Sequence, residues 1–217
     1  MHKPNKILES DVRDQLAWDP QVDPTRIVVS AKDGQITLTG SVPSYYELTR
    51  AVDDVQLVGG VTQVDNQLLV GLVGDAITDG ELAVAATAAL DADKFVPKGG
   101  VDADVVEGWV TLTGEVRHHY QRLAAEHAVG RIDGVLGVTN KIAITSDPIP
   151  SDVAYRIQQA FKRNAIVDDS MIEVSNDGPT VYLDGTTPSW TAGREAEEAA
   201  WDAPGVVDVV NRLTVVP

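Results

Sequence analysis

The chain has 217 residues, a length that allows one large domain or two to three small ones. Hydrophobic residues make up 43% of it, too many for a disordered chain. Cysteine is absent, which excludes disulfides, thiolate nucleophiles and thiolate metal sites. The net charge of −16 is spread over every third of the chain, so no region offers the clustered Lys and Arg that phosphates require, and nucleic acid is not an expected partner.

The first predicted unit alternates helices with strands. An amphipathic helix is followed by a polar stretch and a short alternating strand at Ile27-x-Val29. A tight turn at Asp33-Gly34 leads into a second strand within "GQITLTGSV" (34–42). A second helix and a third alternating strand complete the order α-β-β-α-β. This order predicts an α+β module in which two helices cover one face of a three-stranded mixed sheet.

The same unit is repeated twice more along the chain. Residues 36–70, 110–144 and 181–215 align without a gap, at offsets of 74 and 71 residues. Seven positions are identical in all three copies: Leu38/Leu112/Leu183, Gly40/Gly114/Gly185, Ala51/Ala125/Ala196, Gly60/Gly134/Gly205, Val61/Val135/Val206, Val64/Val138/Val209 and Asn66/Asn140/Asn211. The period is longer than that of common solenoid repeats, so each copy is predicted to be a small domain, near 1–72, 75–146 and 149–217.

The first helix of each unit carries an apolar stripe at i, i+4 and i+8, the spacing of one helical face. The stripes are Leu8, Val12 and Leu16; Leu82, Ala86 and Leu90; and Val153, Ile157 and Phe161. The segments between units, 71–80 and 146–151, are short, and two prolines stiffen the second of them. We therefore expect the three modules to pack against one another.

Three sets of repeated residues are interpreted as a structural signature. Gly40, Gly114 and Gly185 follow the second strand's threonine-rich phrase, where a positive φ and close packing at the entry to the helix would exclude a Cβ. Gly60, Gly134 and Gly205 are predicted to end the second helix. Asn66, Asn140 and Asn211 fall in the apolar register of the third strand, so we expect buried amides that bond to nearby backbone and do not hold a ligand.

The combination of an aliphatic strand, "TLTG", an Ala-rich charged helix and Gly-Val-x-x-Val-x-Asn-x-Leu resembles the BON domain family (bacterial OsmY and nodulation) over nearly the whole chain. The resemblance implies the α-β-β-α-β fold and a cytoplasmic protein with three BON domains. It also implies a link to osmotic and envelope stress and to phospholipid, with no catalytic residues. Asp184 and Thr187 depart from the family pattern in the third copy.

The sequence offers no catalytic or metal-binding pattern. His118 and His119 are adjacent and so point apart, which favours a solvated helix start over a metal site. Asp91-x-Asp93 and Asp102-x-Asp104 lack the glycine and distal glutamate of a calcium loop. We therefore predict a non-enzymatic protein with no cofactor and no bound metal.

An aromatic residue recurs just after the second strand of each copy, at Tyr45 and Tyr46, Tyr120, and Trp190, although aromatics are only 5% of the chain. Tyr and Trp suit interfaces with lipid headgroups or proteins, so these four are the candidate surface-binding residues. The alternative is that they fix the second helix to its own sheet. Two functions stay open: weak peripheral binding to phospholipid or envelope surfaces, and interaction with proteins or with copies of itself without lipid contact.

No apolar run has the length of a signal peptide core or a membrane span, the longest being "LAVAATAAL" at 82–90. We expect no transmembrane segment and a cytoplasmic location, with a periplasmic one only if a signal peptide has been removed.

Overall fold

The computed structural model describes residues 3–71, 77–145 and 147–216. The first module consists of α1 (Asn5–Trp18), β1 (Ile27–Lys32), β2 (Gln35–Val42), α2 (Tyr45–Leu57) and β3 (Gln63–Val70), with a short 3-10 turn at Pro24–Arg26 before β1.

The other two modules repeat this order. The second has α3 (Asp79–Ala92), β4 (Val101–Val106), β5 (Trp109–Val116), α4 (His119–Gly130), β6 (Gly137–Asn140) and β7 (Ala143–Ile144). The third has a 3-10 turn at Asp169–Met171 between its first two elements, and contains α5 (Val153–Arg163), β8 (Ile172–Asp177), β9 (Thr180–Thr187), α6 (Trp190–Trp201) and β10 (Asp208–Val215). The predicted α+β fold of three modules is confirmed. In the second module alone, the third strand is interrupted, as β6 and β7.

Each module has its own sheet, with the second strand in the centre. In the first module β1 pairs antiparallel with β2, and β3 pairs parallel with β2. The other two sheets have the same pairing. The parallel strand is reached by a helical crossover, because two parallel neighbours cannot be joined by a tight hairpin. The third strand is therefore an edge strand in every module.

The apolar stripes predicted for the first helices are buried, each residue with 4% exposure or less. They contribute to three separate hydrophobic cores, one under each sheet. Every core combines a first-helix stripe with residues of the second helix and the sheet. The apolar pattern within each copy therefore predicts which of its own residues are buried.

Gly40, Gly114 and Gly185 have φ of +125°, +133° and +132°. A Cβ at these positions would lie 2.0, 2.2 and 2.2 Å from a backbone carbonyl oxygen of the residue just before the neighbouring strand. The predicted need for glycine is confirmed, but the predicted location is wrong. These glycines lie inside the second strand, opposite the first residues of the first strand, and the corner into the helix comes later.

The prediction that Gly60, Gly134 and Gly205 end the second helices is wrong. The helices end at Leu57, Gly130 and Trp201, three or four residues earlier. These glycines have φ of +101°, +94° and +86° and form the turn into the third strand. A Cβ on Gly205 would lie 2.5 Å from the Cα of Ile149, so this turn also contacts the chain that enters the third module.

The repeated asparagines bond to backbone as predicted, but the predicted burial is wrong for Asn66 and Asn211, which are exposed. In each copy the Oδ1 accepts a hydrogen bond from the backbone N–H two residues later. Asn140 adds a bond from its Nδ2 to the carbonyl of Arg122, 2.9 Å away, which ties the strand to α4. Asn66 and Asn211 lie on edge strands, and this position leaves them open to solvent.

Candidate surface-binding site

The first residue of each second helix contacts a neighbouring module. These residues occupy the same repeat position: Tyr45 begins α2, His119 begins α4 and Trp190 begins α6. Tyr45 packs against the core of the second module, and Trp190 packs against the core of the first. His119 stacks on Trp201 of the third module. The contacts form a cycle, in which each module places one ring on the next.

Tyr45 and Tyr46 hold the first module on the second. A side chain at Gly130 would bring its Cβ within 3.2 Å of the Tyr45 ring, so this glycine leaves room for the ring. Burial, together with the carboxylate of Glu126, raises the pKa of Tyr45. The Tyr46 ring meets His127 edge-on at 5.8 Å between centroids.

The sequence predicts a solvated helix start at His119, and this prediction is wrong because the ring is stacked and half-buried. Its ring lies 3.9 Å from that of Trp201, at 6° between the planes. The guanidinium of Arg122 lies 4.7 Å from the centroid of the Trp201 ring. Burial first, and the Arg122 charge second, lower the pKa of His119 to about 4. A neutral imidazole stacks here because a charged one would lose its hydration beside a cation.

Trp190 is packed between the third and first modules. Its indole Nε1 is buried and has no hydrogen-bond partner among the described residues. For Tyr45 and Trp190 the sequence left open a free surface or a staple to their own sheet, and the structure adds a third arrangement, contact with another module. Only the repeat alignment could have signalled it, through three rings at one equivalent position.

Tyr120 is the predicted aromatic that remains most open, with 53% of its surface exposed. It stacks on His118 at 5.4 Å and meets Phe95 edge-on at 5.9 Å. The ammonium of Lys94 lies 4.6 Å from the centroid of the Phe95 ring. We call Lys94, Phe95, His118 and Tyr120 the Tyr120 cluster. Sequence reasoning missed Lys94 and Phe95, for which the only signal was an aromatic beside a lysine in a polar connection.

A groove of about 870 Å³ lies between the second and third modules, next to the Tyr120 cluster. The residues that line it include Arg117, His118, Tyr120, Glu198, Trp201 and Asp202. Burial, and then the nearby carboxylate of Glu195, raise the pKa of Glu198. The groove therefore has a cationic side chain on the second module and acidic side chains on the third. The stacked rings of His119 and Trp201 connect the two modules.

A second group of charged residues lies inside the first module. The Arg50 guanidinium is 2.5 Å from an Asp19 oxygen and 3.9 Å from an Asp54 oxygen. Asp54 is only 2% exposed, and burial followed by the charge of Asp19 raises its pKa to about 6. Among the described residues, one oxygen of Asp54 has no hydrogen-bond partner.

Neither a metal site nor a membrane span is found among residues 3–71, 77–145 and 147–216. No group of three or more His, Asp or Glu side chains there is arranged to hold a metal ion. The helices in those ranges are too short or too polar to cross a bilayer.

Sequence comparison connects the repeats to known proteins. The model of the BON domain matches residues 4–71, 78–146 and 151–217. The "Osmotically-inducible protein Y" of Escherichia coli (strain K12) is 31% identical over 147 residues, which are 64% of this chain and 71% of that protein.

Two solved structures of CdsD, a structural protein of the Type III secretion system of Chlamydia trachomatis, were also matched. The first is 17% identical, with a TM-score of 0.27 over 97% of this chain and 93% of that one. The second, its C-terminal domain, is 16% identical, with a TM-score of 0.28 over 100% of both chains. At these TM-scores the likeness carries no argument about function.

Proposed function

This chain belongs to the BON-domain family, and on that premise we propose that it is a non-enzymatic binding protein of the osmotic or envelope stress response. Its identity to an osmotically inducible protein supports the stress-related role. Its binding partner is a phospholipid or envelope-associated surface, which it contacts weakly and peripherally.

The Tyr120 cluster is the observation that carries the proposal. Tyr45 and Trp190 are committed to contacts between modules, which leaves Tyr120 as the predicted aromatic with a half-exposed ring. Tyrosine suits the membrane–water boundary, because its ring is apolar and its hydroxyl stays hydrated. Lys94 places a cation beside these rings, where it can meet a lipid phosphate.

Charge and area together make the binding weak. A protein with a net charge of −16 is repelled by an anionic bilayer, and this repulsion is screened beyond about 8–10 Å at physiological salt. Burial of a few rings contributes only a few kcal/mol, roughly 25 cal/mol per Å² of apolar area. Added salt or divalent cations should therefore strengthen binding, which is the opposite of what a basic lipid-binding protein shows.

Vesicle flotation over a salt series tests the proposal. We expect Tyr120→Ala to reduce the floated fraction several-fold, whereas Tyr155→Ala, which removes a tyrosine exposed on α5, leaves it unchanged. Binding that weakens as salt rises would refute the mechanism. Equal effects of the two substitutions would exclude the Tyr120 cluster as the contact.

A second candidate function has its own observation. The first helices expose large apolar side chains, Trp18 at 84% and Val84 at 72%, which suit a protein partner or another copy of the chain. In this case the protein interacts with proteins and makes no lipid contact. Size-exclusion chromatography with light scattering should then show a mass above the 23.2 kDa of one chain, with no flotation in any salt.

A further inference from the structure

The groove between the second and third modules has walls of opposite charge. Arg117 and His118 lie on the second-module wall, where their backbone N–H groups donate to the Oε1 of Gln121 at 3.0 and 3.1 Å. This clamp fixes the backbone that presents both side chains. The Arg117 guanidinium has no ion pair within the described ranges of the chain, so it can bind an anion.

The third-module wall presents two carboxylates. The N–H of Asp202 donates to the carbonyl of Glu198 at 2.9 Å, so the two residues are one helical turn apart and face the same groove. Their like charges repel, and repulsion by acidic neighbours contributes to the raised pKa of Glu198. A cation between the two carboxylates would relieve this repulsion. Asp147 also lines the groove but has a partner of its own.

The stacked rings of His119 and Trp201 connect the two walls of the groove. Because the pKa of His119 is about 4, its imidazole is neutral at pH 7 and adds no charge to the groove. The guanidinium of Arg117 supplies positive charge on the second-module wall. A ligand that matches this groove carries one anionic and one cationic end.

We propose that the groove binds a zwitterion of the phosphoethanolamine type, with its phosphate at Arg117 and His118 and its ammonium at Glu198 and Asp202. A guanidinium is the strongest partner for a phosphate, and a primary ammonium has three donors for carboxylates. A purely anionic ligand would be repelled by the acidic wall. This inference rests on the proposed function for its lipid source and deepens it by naming the headgroup, since the same chemistry exists in phosphatidylethanolamine and in free O-phosphoethanolamine.

Calorimetric titration of the full chain at pH 7 tests the site. We expect O-phosphoethanolamine to bind at least about tenfold more tightly than ethanolamine or inorganic phosphate, because each of these makes only half of the contacts. Arg117→Gln and Glu198→Gln should each lower the affinity about tenfold, and the matched control Glu173→Gln, an exposed acid on β8, should not. Equal affinity of all three ligands for the unaltered protein would overturn the proposal, whether or not the variants fold.

Flotation then separates this inference from the proposed function. Phosphatidylcholine vesicles that contain phosphatidylethanolamine should bind better than vesicles of phosphatidylcholine alone or with phosphatidylglycerol. Equal binding to all three kinds of vesicle would overturn the headgroup assignment and leave the lipid function standing. Binding of free O-phosphoethanolamine without any flotation would support the groove as a zwitterion site and overturn the lipid function.

Discussion

Gly114 shows how one residue can fix a strand pairing. A side chain there would need a φ of +133° and a Cβ 2.2 Å from the carbonyl oxygen of Gly100. We expect Gly114→Val to destabilise the second module by about 2 kcal/mol or more, because a β-branched residue fits neither the backbone nor the space. Urea unfolding followed by circular dichroism measures the change. Gly80→Val is the control, since a Cβ at Gly80 meets no atom within 4 Å, and it should be close to neutral.

Asp54 is a buried carboxyl whose titration should be visible in the stability of the chain. Its pKa rises from 3.8 to about 6 on folding, so the folded state favours the protonated form. The contribution of this group is therefore greatest below about pH 4 and is lost as the pH rises through about 6. The groups that face it are Asp19, Arg50 and Gln15.

Asp54→Asn removes this titration and keeps an oxygen that can accept the Gln15 hydrogen bond. We expect the variant to be more stable than the unaltered protein at pH 8, with the difference shrinking as the pH falls from 6 to 4. Urea midpoints across this range provide the comparison. A difference that is constant with pH, or that widens in acid, would contradict the assignment of the raised pKa to Asp54.

Between elements, the contact of α4 with the end of α6 depends on the charge state of His119. Its pKa falls from 6.5 to about 4 in the folded state, so the neutral form is favoured there. The stabilisation is present above pH 6.5 and is lost as the pH falls through about 4. Weak acid should therefore loosen the second module from the third.

His119→Phe keeps an aromatic ring on Trp201 and removes the titration. We expect the indole N–H resonance of Trp201 in nuclear magnetic resonance spectra to shift with a midpoint near pH 4 in the unaltered protein and to stay constant over the same pH range in the variant. His127→Phe, a substitution at the Tyr46 contact, should leave the Trp201 titration intact. If the His119→Phe protein titrates like the original, another group causes the shift.

Across the whole molecule, the cycle of ring contacts predicts that damage in one module reaches another. Trp190 belongs to the third module by sequence and packs on the core of the first. We expect Trp190→Ala to cost about 2 kcal/mol and to reduce amide hydrogen-exchange protection in the first module. Tyr120→Ala, at a half-exposed ring, should change stability by no more than about 0.5 kcal/mol. Loss of protection confined to the third module would contradict the cycle.

Much of the fold follows from local patterns in the sequence. The stripe at Leu8, Val12 and Leu16 predicts burial because helical spacing places these residues on one face, and all three are buried. Gly40 predicts a positive φ because glycine stands at this position in all three copies, and its φ is +125°. The predicted burial of Asn66 is wrong, because exposure on an edge strand depends on what covers that edge. The predicted helix end at Gly60 is wrong by three residues, because the end of a helix depends on neighbours outside the pattern.

The sequence by itself determined three BON modules, their α-β-β-α-β order and their cores, because each module's periodicity refers only to contacts within that module. The tertiary structure alone decided which aromatics are free. Tyr45, His119 and Trp190 begin equivalent helices, and each meets a different module across a long sequence separation. Hydrophobic periodicity cannot predict such contacts. It predicts that a side chain is buried, but the hydrophobic effect is non-directional and does not specify which surface buries it.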